Sequence, residues 1–279
     1  MHETLTVNPP FNHENQAMKA NKLAVLIVTT YIGFISTAHA STPQPVFSPE
    51  QEARIGEIAA NYLVSHPEIM VTVSHKLQEQ QEARKQKMFA LSVMENQANL
   101  LHDPDTPAYG PDNAKVAVIE FFDYQCVFCS RFAQELEKVM KAQPDVRYLF
   151  KEWPIFGGRW EASLQAAQQG LTVWQKKGPQ AYVTYHNAIY ATGHNEGKLT
   201  AEDIHGAASK AGLTTPAPGD HTASLEKNSN LAEALGLTGT PGIIVMPVSG
   251  ATPDTITVFP EAVTAERLQA AIRKASRAQ

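Results

Sequence analysis

An α/β layered fold with a helical arm in front of it is what the sequence predicts, and three observations carry the prediction. Val116-Ala117-Val118-Ile119-Glu120-Phe121-Phe122 is a β-branched and aromatic run of strand length. Directly after it, Phe128, Phe132, Leu136, Val139 and Met140 recur at helical spacing, with Arg131, Glu135, Glu137, Lys138 and Lys141 between them. Far downstream, Gly239-Thr240-Pro241-Gly242 opens a second apolar strand, Ile243-Ile244-Val245-Met246.

The N-terminal residues read as an address. Lys19 and Lys22 precede an apolar run from Leu23 to Ile35, and Ala38-His39-Ala40 follows with small residues at both outer positions. That layout predicts a secretory signal peptide cleaved before Ser41, with residues 1–17 as an upstream extension and Met18 as the start. The run is shorter than the roughly 20 residues a spanning helix needs. Export matters because thiols outside the cytosol meet oxidising conditions.

Residues 41–102 form the expected arm. Ser41 to Phe47 is a Pro-rich leader, and Ser48-Pro49-Glu50-Gln51 has the chemistry of a capped helix start. Ile55, Ile58, Ala59, Tyr62 and Leu63 form one apolar stripe, interrupted by His66-Pro67-Glu68. From Ile69 to Leu101 there is no Gly or Pro, and Val73, Leu77, Met88, Leu91, Met94 and Leu101 take the apolar positions. Gln78 to Lys87 is polar apart from Ala83. Such an element has too little apolar surface for a core of its own. It is expected to pack on a second copy of itself, as a dimerisation stalk, in preference to packing on the body.

Residues 103–279 form the expected catalytic body. Asp103-Pro104-Asp105-Thr106-Pro107 and Gly110-Pro111-Asp112-Asn113 mark a linker. The strand and helix around Cys126 come next, then a strand with Val146, Tyr148 and Phe150 alternating, which leads into Lys151-Glu152-Trp153-Pro154. Residues 157–235 read as a helical insert. Its stripes are Trp160, Leu164, Ala167, Leu171, Trp174 and then Tyr182, Val183, His186, Ile189, Tyr190, all expected to be core. Thr200-Ala201-Glu202-Asp203 is a candidate capping box. A strand around Ile256 and Val258 and a closing helix from Thr264 to Ser276 complete the order.

Cys126 and Cys129 are the only cysteines in 279 residues. They sit where the buried strand hands over to the helix, so unpaired N–H groups and the positive helix end favour a thiolate at Cys126. A structural disulfide over so short a loop removes little chain entropy, and zinc needs about four ligands. A redox site is therefore the reading that fits, against two inert core cysteines. Neither a cofactor motif nor a metal set accompanies it. The net charge of −5 gives no reason to expect nucleic acid or anionic lipid.

Taken together, Glu120 to Cys126, Cys129, Lys151-Glu152-Trp153-Pro154-Ile155 and Gly239-Thr240-Pro241 resemble the periplasmic thioredoxin-fold thiol–disulfide oxidoreductases. Within them the chain is most similar to the DsbA-like branch with a helical insertion and an N-terminal helical extension, the ScsC-like and plasmid-encoded disulfide isomerases. The likeness covers about Pro111 to Ser276. It implies an exposed nucleophile at Cys126 and a more buried resolving thiol at Cys129. It also implies substrate contacts from Val127, Phe128 and the Thr240–Pro241 pair, whose cis or trans state the sequence leaves open.

Glu120, a carboxyl inside an apolar strand, is expected to sit beneath the cysteines and relay a proton to and from Cys129; the alternative is a structural ion pair with Lys151. Strong oxidants of the family carry Pro-His between the cysteines, whereas Val127-Phe128 offers the thiolate no donor or charge. With Thr240 before the proline, this favours a disulfide isomerase or reductase. The expected partners are misfolded disulfide-containing clients, a membrane thiol reductase and a second copy. Two alternatives remain: a dithiol oxidase, and a thiol protein that binds Cu(I) in copper tolerance.

Overall fold

The computed structural model describes residues 46–214 and 218–277. The expected signal peptide and upstream extension, residues 1–40, lie outside the described residues. The chain divides into two units, residues 1–62 and 63–279. Helix α1 (Pro49–Ser65), most of which belongs to the first, starts at a reciprocal cap: the Gln51 N–H donates to Ser48 Oγ at 3.3 Å and the Ser48 N–H donates to Gln51 Oε1 at 2.8 Å. No α1 residue is buried; Ile55, Ile58 and Tyr62 are exposed.

The second unit continues with α2 (Glu68–Glu95), which gives way at Asn96 to the short α3 (Gln97–Leu101). Then come β1 (Ala108–Tyr109), β2 (Val116–Phe122), α4 (Val127–Ala142) and β3 (Arg147–Glu152). The helical insert is α5 (Glu161–Lys177), α6 (Pro179–Ala191), α7 (Ala201–Lys210) and α8 (Thr222–Ala234). β4 (Gly242–Pro247), β5 (Thr257–Phe259) and α9 (Ala265–Ser276) close the chain. The Thr200–Asp203 capping box forms as expected, and Thr264 caps α9 through Arg267 N.

The five strands lie in the order β1-β3-β2-β4-β5. β2 runs parallel to β3 and antiparallel to β4, with Glu120 opposite Phe150 and Ile243. A central strand flanked on both edges and covered on both faces is expected to be apolar; every residue of β2 is buried, and Glu120 is its one polar residue. Val116, Val118 and Phe122 share one core with α4, α6 and α9; Ala117, Ile119 and Phe121 face a second, smaller one. The two-residue β1 lies in a stretch read from the sequence as linker. It was missed because two paired residues carry no period.

The arm departs from expectation at its C-terminal end. Phe89, Ala90 and Val93 of α2 and Leu100 of α3 are buried in the second core, beside Phe121, Ile244 and Val258. Gln86 reaches the edge strand, its Nε2 donating to Val258 O at 2.8 Å and its Oε1 accepting from Val258 N at 3.3 Å. Residues 86–102 thus belong to the body, not to a free-standing stalk. The reason is apolar area: Phe89, Ala90 and Val93 bring one face that the sheet needs covered. Met70, Val73 and Leu77, further up α2, are exposed.

Lys151 fixes the same junction. Its buried ammonium donates to Asn99 O (3.0 Å), Asp103 Oδ2 (3.1 Å) and Thr106 Oγ1 (2.5 Å), while Lys227 Nζ reaches Asp103 Oδ1 at 2.8 Å. Successive strand residues point to opposite faces, so Lys151 faces the second core and Phe150 and Glu152 face the first. The alternative pairing of Glu120 with Lys151 does not form.

Candidate active site

β2 delivers the chain to the site, and a tight turn redirects it into α4. Asp123 holds that turn: Oδ1 accepts from Gln125 N at 2.7 Å, and Oδ2 accepts from Phe156 N at 2.9 Å and Ser163 Oγ at 2.7 Å. The Asp123 carbonyl accepts from Cys126 N at 3.1 Å and from the Tyr190 hydroxyl at 3.2 Å. Gln125 is clamped to the insert, its carbonyl accepting from Glu196 N and its Oε1 from Gly197 N, both at 2.9 Å.

Cys126 is the N-cap of α4, with extended backbone (φ −81°, ψ 118°), and its sulfur accepts the Cys129 N–H at 3.4 Å. This is the position where a helix presents unsatisfied donors and positive charge. The hydrogen bond from the Cys129 thiol, helped by the backbone N–H groups of Cys129 and Phe128 and opposed by burial, pushes the Cys126 thiol down to about 6. Cys129 moves the other way. Complete burial first, then its bond to Cys126 and the negative charge there, raises it well above the ordinary range. One sulfur is set up as thiolate and its neighbour as proton carrier.

The loop before β4 closes over the nucleophile. Thr240–Pro241 is cis, and the Cys126 thiol donates to the Thr240 carbonyl at 3.2 Å. Both cysteines are free thiols. One expectation is corrected here: Cys126 is only 4% exposed, where the resemblance implied an open nucleophile. Its sulfur is drawn in between the first turn of α4 and the Thr240 carbonyl. Phe128 is the open residue of the motif, 53% exposed, with Arg131 stacked on its ring at 5.5 Å. Val127 is half-buried and Pro241 buried.

Glu120 lies on the same face of β2 as Val118 and Phe122, the face that α4 covers. It is fully buried, and neither carboxyl oxygen has a hydrogen-bond partner. Burial first, and then the charge of Cys126, lifts its carboxyl to about 8. Its influence extends to Cys129, whose thiol it helps to raise. The structure therefore gathers Glu120, Cys126, Cys129, Val127, Phe128, Thr240 and Pro241 around one turn.

Sequence reasoning missed a second buried acid. Glu152, at the end of β3, accepts at Oε1 from the Tyr124 hydroxyl (3.0 Å) and the Tyr182 hydroxyl (2.7 Å). His186 is boxed by the rings of Phe122, Tyr124, Phe150, Tyr182 and Tyr190, and burial pushes it down to about 4. The signal for Glu152 was present: the alternation of Val146, Tyr148 and Phe150, extended by one step, puts Glu152 on the buried face with Glu120. Among the described residues no group of three or more His, Cys, Asp or Glu side chains could hold a metal ion.

Comparison with known proteins agrees with this geometry. The profile of the family described as Thioredoxin matches residues 102–274, and that of the copper resistance protein ScsC N-terminal domain matches residues 51–84. Salmonella enterica Typhimurium BcfH is similar at 37% identity and a TM-score of 0.67, over 81% of this chain and 96% of that one. Proteus mirabilis ScsC in a transitional conformation is 26% identical (TM-score 0.56; 83% and 98% covered). A periplasmic thioredoxin-like protein from Salmonella enterica serovar Typhimurium is 29% identical (TM-score 0.54; 64% and 95% covered). No curated protein matches the chain.

Proposed function

The chain belongs to the thioredoxin-fold family of ScsC-like and DsbA-like thiol oxidoreductases, and from that premise we propose that it is an exported protein disulfide isomerase and reductase. The observation that carries the proposal is the Cys126 sulfur at the N-cap of α4, between the Cys129 N–H and the Thr240 carbonyl.

In the reduced enzyme the Cys126 thiolate attacks one sulfur of a mispaired client disulfide. A Cys126–client bond forms, the client S–S bond breaks, and the other client sulfur leaves as a thiolate. Ionising Cys126 also removes the S–H donor from the Thr240 carbonyl, which then accepts an N–H from an extended client strand. Phe128 and Val127 supply the apolar contact. The client re-pairs its own cysteines and expels Cys126, or Cys129 resolves the complex. In the second route Cys126 is uncharged in the mixed disulfide, which removes one cause of the raised Glu120 carboxyl. The carboxylate form of Glu120 takes the Cys129 proton. The Cys129 thiolate then attacks Cys126, breaking the Cys126–client bond and expelling the client sulfur as a thiolate. The client leaves two electrons richer, and a membrane thiol reductase supplies two electrons to the oxidised Cys126–Cys129 pair.

Oxidising power comes from stabilising the reduced form, and Val127-Phe128 adds no charge or donor beyond the helix end. That supports isomerase over oxidase. The exposed Met70, Val73 and Leu77 of α2, in a segment that matches an ScsC N-terminal domain, support self-association as a homodimer.

Refolding of scrambled ribonuclease tests the proposal. The mature chain should restore ribonuclease activity and Cys126→Ser should abolish it. Oxidation of reduced ribonuclease without rescue of the scrambled form would establish an oxidase instead.

A further inference from the structure

The turn before Cys126 is anchored from below by Glu152, a residue that the exchange chemistry does not touch. Tyr124, two residues ahead of the nucleophile, is fully buried among Phe122, Tyr185 and Tyr190, and its hydroxyl ends on Glu152 Oε1. The same oxygen receives Tyr182 from α6. The Glu152 carbonyl accepts from Asn228 Nδ2 of α8 at 3.0 Å, and Trp153 N donates to Phe122 O at 2.9 Å. One buried side chain thus joins the active-site turn, β3 and the insert.

The surroundings are built for it. α5 carries Gly170 where it crosses the carboxyl. A Cβ there would meet Glu152 Oε1 at 2.6 Å, Tyr185 Cε1 at 3.1 Å and the Tyr124 hydroxyl at 3.4 Å. Glycine is a poor residue for a helix interior, and here it leaves room for the carboxyl and the phenol to meet.

We propose that Glu152 is a positioning residue of the redox site, its Oε1 pinning Tyr124 and so holding Cys126 against the first turn of α4. This rests on the thiol-exchange reading above. The titratable groups around Glu152 are Tyr124 in the turn, Tyr182, Tyr185 and Tyr190 on α6, and Asp123 and Glu120 from β2 and its end. His186 packs against the rings of Tyr124 and Tyr182. None of them supplies a cation at neutral pH, since the histidine is held neutral. Burial therefore dominates and raises Glu152 well above the usual carboxylate range, against the two tyrosine hydrogen bonds. Its Oε2 is buried with no hydrogen-bond partner, so Oε1 alone ties the side chain to the turn.

The test is the pH profile of Cys126 alkylation by iodoacetamide in the full mature chain, with circular dichroism to establish folding. Glu152→Gln keeps the carbonyl that accepts both phenols, so its midpoint should match the wild type. Tyr124→Phe removes only the hydroxyl and should raise the midpoint by about one pH unit, a roughly tenfold change in the thiol ionisation constant. Glu152→Leu should raise it equally, and Glu152→Leu with Tyr124→Phe should add nothing, because both remove one contact. An unmoved midpoint in folded Tyr124→Phe, a shift in Glu152→Gln, or additive shifts would each overturn the inference and leave the exchange chemistry standing. A wild-type midpoint in the ordinary thiol range would instead overturn the proposed function, and this inference with it.

Discussion

At the residue scale, the site separates groups of one chemical kind by their surroundings. Two thiols three positions apart are pushed in opposite directions, one by its neighbour's hydrogen bond and the helix end, the other by burial. Glu120 shows the cost. Its carboxyl titrates at about 8 in the fold and at 4.5 in the unfolded chain. Between those values the folded state holds the extra proton, so stability is fully present below about 4.5 and declines as pH rises through 8. Over that window the loss is on the order of a few kcal/mol. Urea unfolding from pH 5 to 9 should show this decline in the wild type and a flatter curve in Glu120→Gln, which should also slow the release of client by Cys129 at pH 7. A decline unchanged in Glu120→Gln would place the titration elsewhere. The sequence made Cys126, Cys129 and Glu120 legible, because a Cys-x-x-Cys at a strand–helix junction and a carboxyl inside an apolar strand break local rules. It did not make Glu152 legible: Lys151-Glu152 reads as an ordinary charged strand end until the pleat is followed one residue further. The enclosure of Cys126 was also hidden, since it depends on a carbonyl more than 100 residues away.

At the element scale, the helices and central strands were readable because they are long and periodic, and their starts announce themselves in Ser48, Thr200 and Thr264. The junction between arm and body was not. Asp103 and Thr106 have the composition of a linker, yet they are the partners of buried Lys151. A linker residue and a buried ligand for an ammonium look alike until the lysine is seen to point the right way. Asp103→Ala should strip the carboxylate from Lys151 and lower unfolding stability by about 3–5 kcal/mol. Replacing both, as Asp103→Leu with Lys151→Met, should recover most of it, measured by urea midpoint at fixed slope. A double variant no better than the single one would mean that Asn99 and Thr106 are the partners that matter.

At the scale of the whole molecule, the apolar residues left uncovered on α2 lie ahead of the segment that docks on the sheet. If they meet a second copy, Val73→Glu with Leu77→Glu should halve the mass measured by multi-angle light scattering. The pH profile of Cys126 alkylation should stay unmoved while rescue of scrambled ribonuclease falls several-fold. Unchanged mass would leave those side chains without a role in assembly, and a chain larger than a dimer before substitution would correct the stoichiometry.

Gln86 also closes the outer edge of β5. That strand ends the sheet, and the outward N–H and C=O of Val258 are both occupied by one amide from α2. A free ladder at that rim is the template on which β-rich chains stack into fibres. A shortened form beginning at Met88 should therefore raise thioflavin fluorescence over hours at concentrations where the mature chain stays clear. Gln86→Ala alone should do so more slowly, the rest of α2 still shielding the rim. The arm would then keep the enzyme from becoming the kind of tangle it is proposed to repair.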